Sequence, residues 1–275
     1  MNSSAPPNIG DDLLLLLHAA ATGPASLGGL AGALERPGRR IAAPDLCGGR
    51  RDNDHGAPGD DIIEHSVGVA RAALNKARDE SRGARRFVFG HSMGGLVALL
   101  MALEADRDGD AIDALILYEP ILHDLLDPAI ASDAEALAWD RAIVSELAAD
   151  VGRGNPEAGV SRFVEAWNET AWTALPREVR RQLVAGAGTL VRQTASMLTK
   201  KLPPLRLAGL RTPTLLLGGD NRSPAFTGLV LQRAVASMPN SRCVILEGAG
   251  HMAPLNAADR VAAAIEAWLE EQALD

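Results

Sequence analysis

Residues 87–96 read Phe-Val-Phe-Gly-His-Ser-Met-Gly-Gly-Leu and contain a Gly-x-Ser-x-Gly pattern centred on Ser92. An apolar strand pattern ends at Gly90, and an amphipathic helix pattern starts at Met93. A sharp strand-to-helix turn lifts such a serine above the sheet edge, and the two glycines permit close backbone passage. The helix N-terminus behind the turn favours developing negative charge. This context favours Ser92 as a nucleophile; the alternative is a glycine-rich turn with an incidental serine.

Five further segments share the short, apolar character of the strand before Ser92. Because their apolar residues are continuous rather than alternating, the sheet should be covered on both faces. Helical patterns between them indicate a parallel sheet with right-handed crossovers. The strand candidates are residues 13–17, 40–43, 86–89, 114–118, 214–217 and 242–246, and the helical patterns include 62–78, 93–105, 224–237 and 257–271.

Residues 120–210 interrupt this alternation, because helical patterns occur there without any strand candidate. The patterns lie around residues 133–149, 160–172 and 177–198. An insertion of this length is too long for a loop. We therefore expect an α/β domain whose core comprises residues 1–119 and 211–275, with residues 120–210 as a helical lid. The lid contains three tryptophans that are candidates for substrate binding: Trp139, Trp167 and Trp172. We expect at least one of them to line the substrate pocket; the alternative is that all three only pack the lid onto the body.

A serine hydroxyl needs a base to remove its proton, and His251 is the candidate. Residues 247–251 read Glu-Gly-Ala-Gly-His directly after the last strand candidate, so the ring can reach back over the sheet. The alternative is a surface loop histidine. The side chain of His91 should point to the opposite side of the turn at Ser92. Three other histidines are interpreted as solvent-exposed or structural: His55, His65 and His123.

Taken in order, these pieces resemble the α/β-hydrolase superfamily over nearly the whole chain. The matching segments are Leu-Leu-His-Ala-Ala at 16–20, Ala-Pro-Asp-Leu-Cys-Gly at 43–48, the turn at 90–94, and Gly-Ala-Gly-His at 248–251. The resemblance implies Ser92 as nucleophile and His251 as base. It also implies an oxyanion hole formed by the N–H groups of Met93 and Ala20. We expect His18, at the start of the Ala20 loop, to contribute to substrate binding.

Two carboxylates are candidates for the acid that orients the histidine. In most members of the superfamily an aspartate follows the next-to-last strand at a position that is Asn221 here, with Asp220 one residue earlier. Residues 115–120 read Leu-Ile-Leu-Tyr-Glu-Pro and place Glu119 at the end of the strand after the nucleophile helix. Some esterase-like relatives resemble the chain in this feature. We favour Glu119, with Asp220 as the alternative; either could instead be a helix-capping or turn residue.

The N-terminus departs from the usual arrangement of the superfamily. Only twelve residues precede Leu13, which is too few for the hairpin that most members have there. We therefore expect a doubly wound α/β fold with a mainly parallel sheet of about six strands that lacks the N-terminal hairpin.

These features predict a serine hydrolase that cleaves a carboxylic ester of a small, largely apolar substrate through an acyl-enzyme. The same site would also suit lactone or C–C bond hydrolysis, hydroxynitrile-type lyase chemistry, or a ligand receptor with little turnover. The sequence contains no metal-ligand spacing and no phosphate-cradling loop, so neither a metal nor another cofactor is implied.

Composition and net charge indicate which binding partners and which cellular compartment to expect for the protein. The 275 residues are 47% hydrophobic and 23% charged, which is ordinary for a globular protein. A net charge of -8 makes nucleic acid an unexpected partner. The apolar run at 13–17 is too short to span a bilayer, and acidic residues precede it. We expect a cytoplasmic protein with no membrane partner and reduced thiols at Cys47 and Cys243; the oligomeric state stays open.

Overall fold

The computed structural model of the protein describes residues 12–46, 61–80, 84–108, 112–168, 170–220 and 222–272. In this part of the chain, six strands form one sheet in the order β2-β1-β3-β4-β5-β6, and every neighbouring pair is parallel. The strands are β1 (Asp12–Leu17), β2 (Arg39–Ala42), β3 (Arg86–His91), β4 (Ala114–Tyr118), β5 (Thr214–Gly219) and β6 (Ser241–Leu246). The predicted six-stranded parallel sheet is therefore confirmed.

Eleven α-helices and three 3₁₀ turns connect and cover the described strands. The α-helices are α1 (Gly28–Leu34), α2 (Ile62–Glu80), α3 (Met93–Asp108), α4 (Ala131–Gly152), α5 (Pro156–Trp167), α6 (Arg177–Ala185), α7 (Ala187–Thr199), α8 (Pro204–Ala208), α9 (Ala225–Ser237), α10 (Ala253–Asn256) and α11 (Ala258–Gln272). The 3₁₀ turns are Pro24–Leu27, His123–Leu125 and Trp172–Ala174.

The first strand shows why the sheet is covered on both faces. Successive side chains of a strand point to opposite faces, and all five leucines of β1 are buried. Leu13, Leu15 and Leu17 pack in a cluster with residues of α2, α3 and α9. Leu14 and Leu16 pack in a second cluster with residues of α1 and α11. An uninterrupted apolar strand is thus the sequence pattern of a two-sided core.

Residues 120–210 lie between β4 and β5 and contain five of the helices, α4 to α8; we call them the helical segment. Leu147, Val160, Trp172 and Leu190 pack in a cluster within this segment. Trp167 instead joins the cluster that covers the sheet. The helical segment therefore has packing of its own and also contacts the body of the protein.

Two helical patterns of the segment are divided in the structure. The helix expected around 160–172 ends at Trp167, and the N–H of Trp172 donates to a Glu165 carboxylate oxygen at 2.9 Å. The pattern at 177–198 forms two helices that meet at Gly186. Glycine is the poorest helix former after proline, which accounts for a break at that residue.

No helix in the described ranges is long and apolar enough to cross a membrane. Cys243 is a free, half-buried thiol, whereas Cys47 lies outside the described residues.

Candidate active site

The turn at Ser92 has the close-packed geometry that the sequence predicts. Ser92 has a φ of 56°, in the left-handed region, and its N–H donates to the carbonyl oxygen of Tyr118 at 3.0 Å. A Cβ atom at Gly90 would lie 2.3 Å from the carbonyl oxygen of Gly94, and one at Gly94 would lie 2.2 Å from that of Leu17. Because neither position has room for a side chain, the two glycines are required by packing.

Two backbone segments meet beside Ser92. Met93 is the first residue of α3, so its N–H has no acceptor within the helix. Ala20 lines the same cavity as Ser92. The next residue, Ala21, has a φ of 58°, and its N–H donates to Oε1 of Gln193 on α7 at 3.1 Å. The loop after β1 is therefore held by the helical segment.

Of the two candidate acids, Glu119 is the one hydrogen-bonded to His251. Nδ1 of His251 lies 2.8 Å from Oε2 of Glu119, and both side chains are buried. The other oxygen, Oε1, accepts hydrogen bonds from the Gly219 N–H at 2.7 Å and the Ser223 hydroxyl at 2.5 Å. Burial alone would raise the pKa of Glu119, but these three hydrogen bonds and the His251 ring outweigh it and lower the pKa.

The Asp220 carboxylate accepts hydrogen bonds from a different set of atoms. Its Oδ2 accepts from the Gly248 N–H at 2.6 Å, and its Oδ1 accepts from the Arg222 N–H at 3.2 Å. The Gly248 bond is the main cause that lowers the pKa of Asp220. The carboxylate thus joins the loops after β5 and β6. Asn221, the position that holds the acid in most relatives, lies outside the described residues.

Side chains of β3 and β4 hold the loop that carries His251. The Tyr118 hydroxyl donates to the Gly250 carbonyl oxygen at 2.8 Å. Nε2 of His91 lies 2.8 Å from the His251 carbonyl oxygen and donates to it. Burial, followed by the nearby ring of His251, lowers the pKa of His91 well below its usual value. His91 is therefore a neutral ring that packs against His251, with its centroid 5.0 Å away.

The cavity above Ser92 has a volume of about 310 Å³. Ser92, His251, Ala20 and Trp167 are among its lining residues, and most of the others are apolar. The ring centroids of Trp167 and His251 are 4.8 Å apart. This volume is at the lower end of the range for small-molecule sites.

Three other residues expected to bind substrate lie elsewhere. Trp139 lines a neighbouring cavity, and Trp172 packs within the helical segment. His18 is fully buried: its Nδ1 donates to the Ala19 carbonyl oxygen at 2.9 Å and its Nε2 accepts from the Leu46 N–H at 3.0 Å. None of the three is among the described lining residues of the cavity above Ser92. The buried position of His18 is instead suited to holding the Ala20 loop in place.

Two further residues of the same cavity wall, His123 and Asp140, were not predicted from the sequence to belong to the site. Both are buried, and Nε2 of His123 lies 2.6 Å from Oδ2 of Asp140. His123 follows β4 by five residues, which was the available signal, since ligands bind beyond the carboxyl ends of parallel strands. Asp140 lies in mid-helix and gave no signal. Of the other two histidines, His65 is exposed, and His55 lies outside the described residues.

The described residues contain no group of three His, Cys, Asp or Glu side chains that could hold a metal ion.

Comparison with known proteins identifies the fold independently. MenH from S. aureus is 20% identical, with a TM-score of 0.69 over 95% of this chain and 94% of that chain. A thermophilic esterase from Thermogutta terrifontis is 22% identical, with a TM-score of 0.69 over 95% and 90%. Carboxylesterase CesB from Bacillus subtilis is 18% identical, with a TM-score of 0.64 over 97% and 85%.

At these identities the likeness concerns the fold alone. The curated proteins compared with the chain include no significant sequence match. The alpha/beta hydrolase family model matches residues 14–264, which is most of the sequence. The strand order, the turn at Ser92 and this match agree, and the chain belongs to the alpha/beta hydrolase family.

Proposed function

We propose that the protein hydrolyses carboxylic esters of small, largely apolar substrates through an acyl-enzyme on Ser92. Family membership supports hydrolase activity. The observation that carries the finer proposal is the 2.8 Å contact between Nδ1 of His251 and Oε2 of Glu119, because His251 lines the same cavity as Ser92. A nucleophile, a base and an orienting acid at the carboxyl ends of β3, β6 and β4 are the components of a catalytic triad.

In this mechanism Glu119 fixes the protonation of His251. A carboxylate can only accept hydrogen bonds, so the proton between the two side chains sits on Nδ1 of His251. Nε2 is then unprotonated and can accept the Ser92 proton. The lowered pKa of Glu119 keeps its negative charge available to stabilise the imidazolium that forms.

Hydrolysis then takes two steps, acylation of Ser92 and deacylation by water. Oγ of Ser92 attacks the ester carbonyl carbon as His251 takes its proton, and the N–H groups of Met93 and Ala20 hold the negative oxygen. The alcohol leaves with the proton from His251, and an ester bond to Ser92 remains. Water, deprotonated by His251, attacks that bond, and the acid leaves as Ser92 recovers its proton.

The lining of the cavity supports a largely apolar substrate. Trp167, Phe163, Leu183 and Met197 contribute aromatic and aliphatic surface. Such a surface binds acyl or alcohol groups by burial of apolar area, and only a few polar atoms fix their orientation.

The experiment is pre-steady-state kinetics with a 4-nitrophenyl ester, followed by mass spectrometry of the quenched protein. We expect a burst of 4-nitrophenol equal to the enzyme concentration, and an acyl adduct on the peptide that contains Ser92. The Ser92→Ala protein should show neither. Turnover without an adduct would contradict the acyl-enzyme, and a rise in Tm with ligand but no turnover would indicate a receptor.

A further inference from the structure

The wall of the cavity above Ser92 contains a second histidine–carboxylate pair, separate from His251 and Glu119. His123 lies in the 3₁₀ turn after β4, and Asp140 lies on α4. Their side chains are 7% and 4% exposed, and Nε2 of His123 donates to Oδ2 of Asp140 at 2.6 Å. The mechanism of ester hydrolysis uses neither residue.

Packing does not account for this pair. The ring of His123 lies against Phe226, with the centroids 5.2 Å apart, in a mainly apolar wall. Burial of a polar or ionic pair costs free energy, and apolar replacements of similar volume are often neutral or stabilising. A purely structural wall would be served at least as well by leucine at both positions.

The pair also leaves hydrogen-bonding capacity unused. Oδ1 of Asp140 accepts no hydrogen bond from any residue in the described part of the chain. Nδ1 of His123 is enclosed and has no partner among those residues. The lining residues Trp167 and Asn168 each carry a further enclosed polar atom without a described partner, the indole Nε1 and the amide Oδ1. Unsatisfied buried polar atoms are rare in native proteins and require an explanation.

Charge limits which ligand group can satisfy the pair. Asp140 is the one carboxylate among the described lining residues of the cavity, and none of those residues is Lys or Arg. An anionic group would meet the carboxylate without a neighbouring cation to offset the repulsion. A neutral hydrogen-bond donor can place its proton on Oδ1 of Asp140 while His123 holds Oδ2.

We propose that His123 and Asp140 form a recognition site for a hydroxyl group of the substrate, remote from the ester carbonyl. The substrate class is then an apolar ester that carries a free alcohol or phenol. This inference rests on the proposed ester hydrolysis, and it names the substrate of that same site.

The test compares substrates that differ only in a hydroxyl or a methyl group. The first pair is 4-nitrophenyl 3-(4-hydroxyphenyl)propanoate and its 4-methylphenyl analogue; the second pair is the 8-hydroxyoctanoate and the nonanoate. We expect a kcat/KM ratio of at least about tenfold in favour of the hydroxyl compound in one pair or both, because a site that hydrogen-bonds a hydroxyl rejects the isostere that lacks it.

Variants test whether the kcat/KM ratio between hydroxyl and methyl substrates depends on His123 and Asp140. The double variant His123→Leu/Asp140→Leu should lower the ratio to about one or below, because an apolar pocket discriminates weakly between these groups. Asp140→Asn should lower it partly. Asp150→Asn is the matched control: Asp150 is buried on the same helix but is not a lining residue, so the ratio should stay that of the wild type. Tm values show whether each variant is folded.

Binding of the non-reacting alcohols separates this inference from the proposed function. The wild type should bind 3-(4-hydroxyphenyl)propan-1-ol at least about tenfold more tightly than the 4-methylphenyl analogue by calorimetry. Equal rates for both members of each ester pair, with equal affinities for the alcohols, would overturn the hydroxyl site and leave ester hydrolysis intact. Selective binding without hydrolysis of any ester would overturn the proposed function and support the hydroxyl site.

Discussion

The carboxyl edge of the sheet and the helical segment contribute to the same cavity in different ways. Ser92, Glu119 and His251 follow β3, β4 and β6, so the strand topology fixes where their backbones lie. Trp167, Asp140 and Gln193 reach the site or its loops from α5, α4 and α7, respectively, and only tertiary packing fixes which way they face. We infer that chemistry resides at the sheet edge, whereas substrate selection and loop positioning reside in the helical segment.

Removal of Ser92 should have the largest effect on kcat, and it tests most directly whether the chemistry resides at the sheet edge. Ser92→Ala should lower kcat on activated esters by about 10⁶ if the triad acts as a unit. Far-UV circular dichroism and Tm should be close to those of the wild type, because the change removes a single oxygen atom. Retention of a tenth of the wild-type rate would show that Ser92 is not the nucleophile.

Exchange of the two carboxylates for amides compares two neighbouring parts of the sheet edge. Glu119→Gln should lower kcat by about 10⁴, because the amide no longer fixes the protonation of His251. Asp220→Asn should change kcat less than about tenfold, because the partners of its carboxylate among the described residues are backbone N–H groups of two loops. The same kinetic assay checks both variants, and a reversed order would assign the acid to Asp220.

The sheet edge could be predicted from sequence because strand ends are marked in the chain. Continuous apolar runs located all six strands, and Gly90 and Gly94 marked the turn at Ser92. Spacing alone left Glu119 and Asp220 as alternatives. The choice depends on side-chain reach across β4, β5 and β6, which the three-dimensional structure shows and one-dimensional spacing does not.

For the helical segment, the sequence predicted that helices form but not which of their side chains face the cavity. Its patterns indicated α4, α5 and the α6–α7 region, but not which residues face the cavity. Trp167 lines it, whereas Trp172 is buried in a separate cluster, although both fit an apolar helical face. Asp140 lies in mid-helix, and its sequence context gave no signal of a role in the cavity. A buried polar residue on a helix can be identified only when its partner, here His123, is known.

Gln193 tests whether the helical segment positions the chemistry. Its side chain is buried and accepts the Ala21 N–H at 3.1 Å, next to the proposed oxyanion donor Ala20. Gln193→Met should lower kcat about tenfold or more with little change in KM, because small displacements of transition-state donors are costly. Gln193→Glu keeps an acceptor oxygen and should recover most of the loss. An equal loss of stability and no kcat effect would make Gln193 purely structural.

A pair of tryptophan variants sharpens the distinction within the helical segment. Trp167→Leu should change the ratio of kcat/KM values for short and long acyl esters by about tenfold, because Trp167 lines the cavity and contacts His251. Trp172→Leu is the matched control: it should destabilise the fold by about 2–3 kcal/mol without changing that ratio. Unchanged ratios in both proteins would remove Trp167 from substrate selection.

The smallest effect concerns the attachment of the helical segment to the core, and it should appear in stability alone. Asp133 on α4 is buried and accepts two hydrogen bonds of 2.9 Å from Arg233 on α9. The bonds from Arg233 are the main cause that lowers the pKa of Asp133 to about 2, and hydrogen bonds from the Asp127 N–H and the Ser132 hydroxyl add to it. A carboxylate with a depressed native pKa stabilises the fold above its unfolded pKa, and the contribution is lost as pH falls through the native value.

Asp133→Asn should therefore cost about 1 kcal/mol at pH 7, where the partly exposed Arg233 limits the gain from the pair. The cost should shrink between about pH 4 and pH 2, as the wild-type carboxyl becomes protonated, and kcat at pH 7 should not change. Urea unfolding at several pH values measures this difference. In an Arg233→Met background the pH dependence of the same substitution should be smaller, because the main cause of the lowered pKa is gone and only the Asp127 N–H and the Ser132 hydroxyl remain as donors. If the cost were equal at pH 2 and pH 7, the ion pair would not be what holds α4 to α9, and the attachment would depend on apolar packing alone.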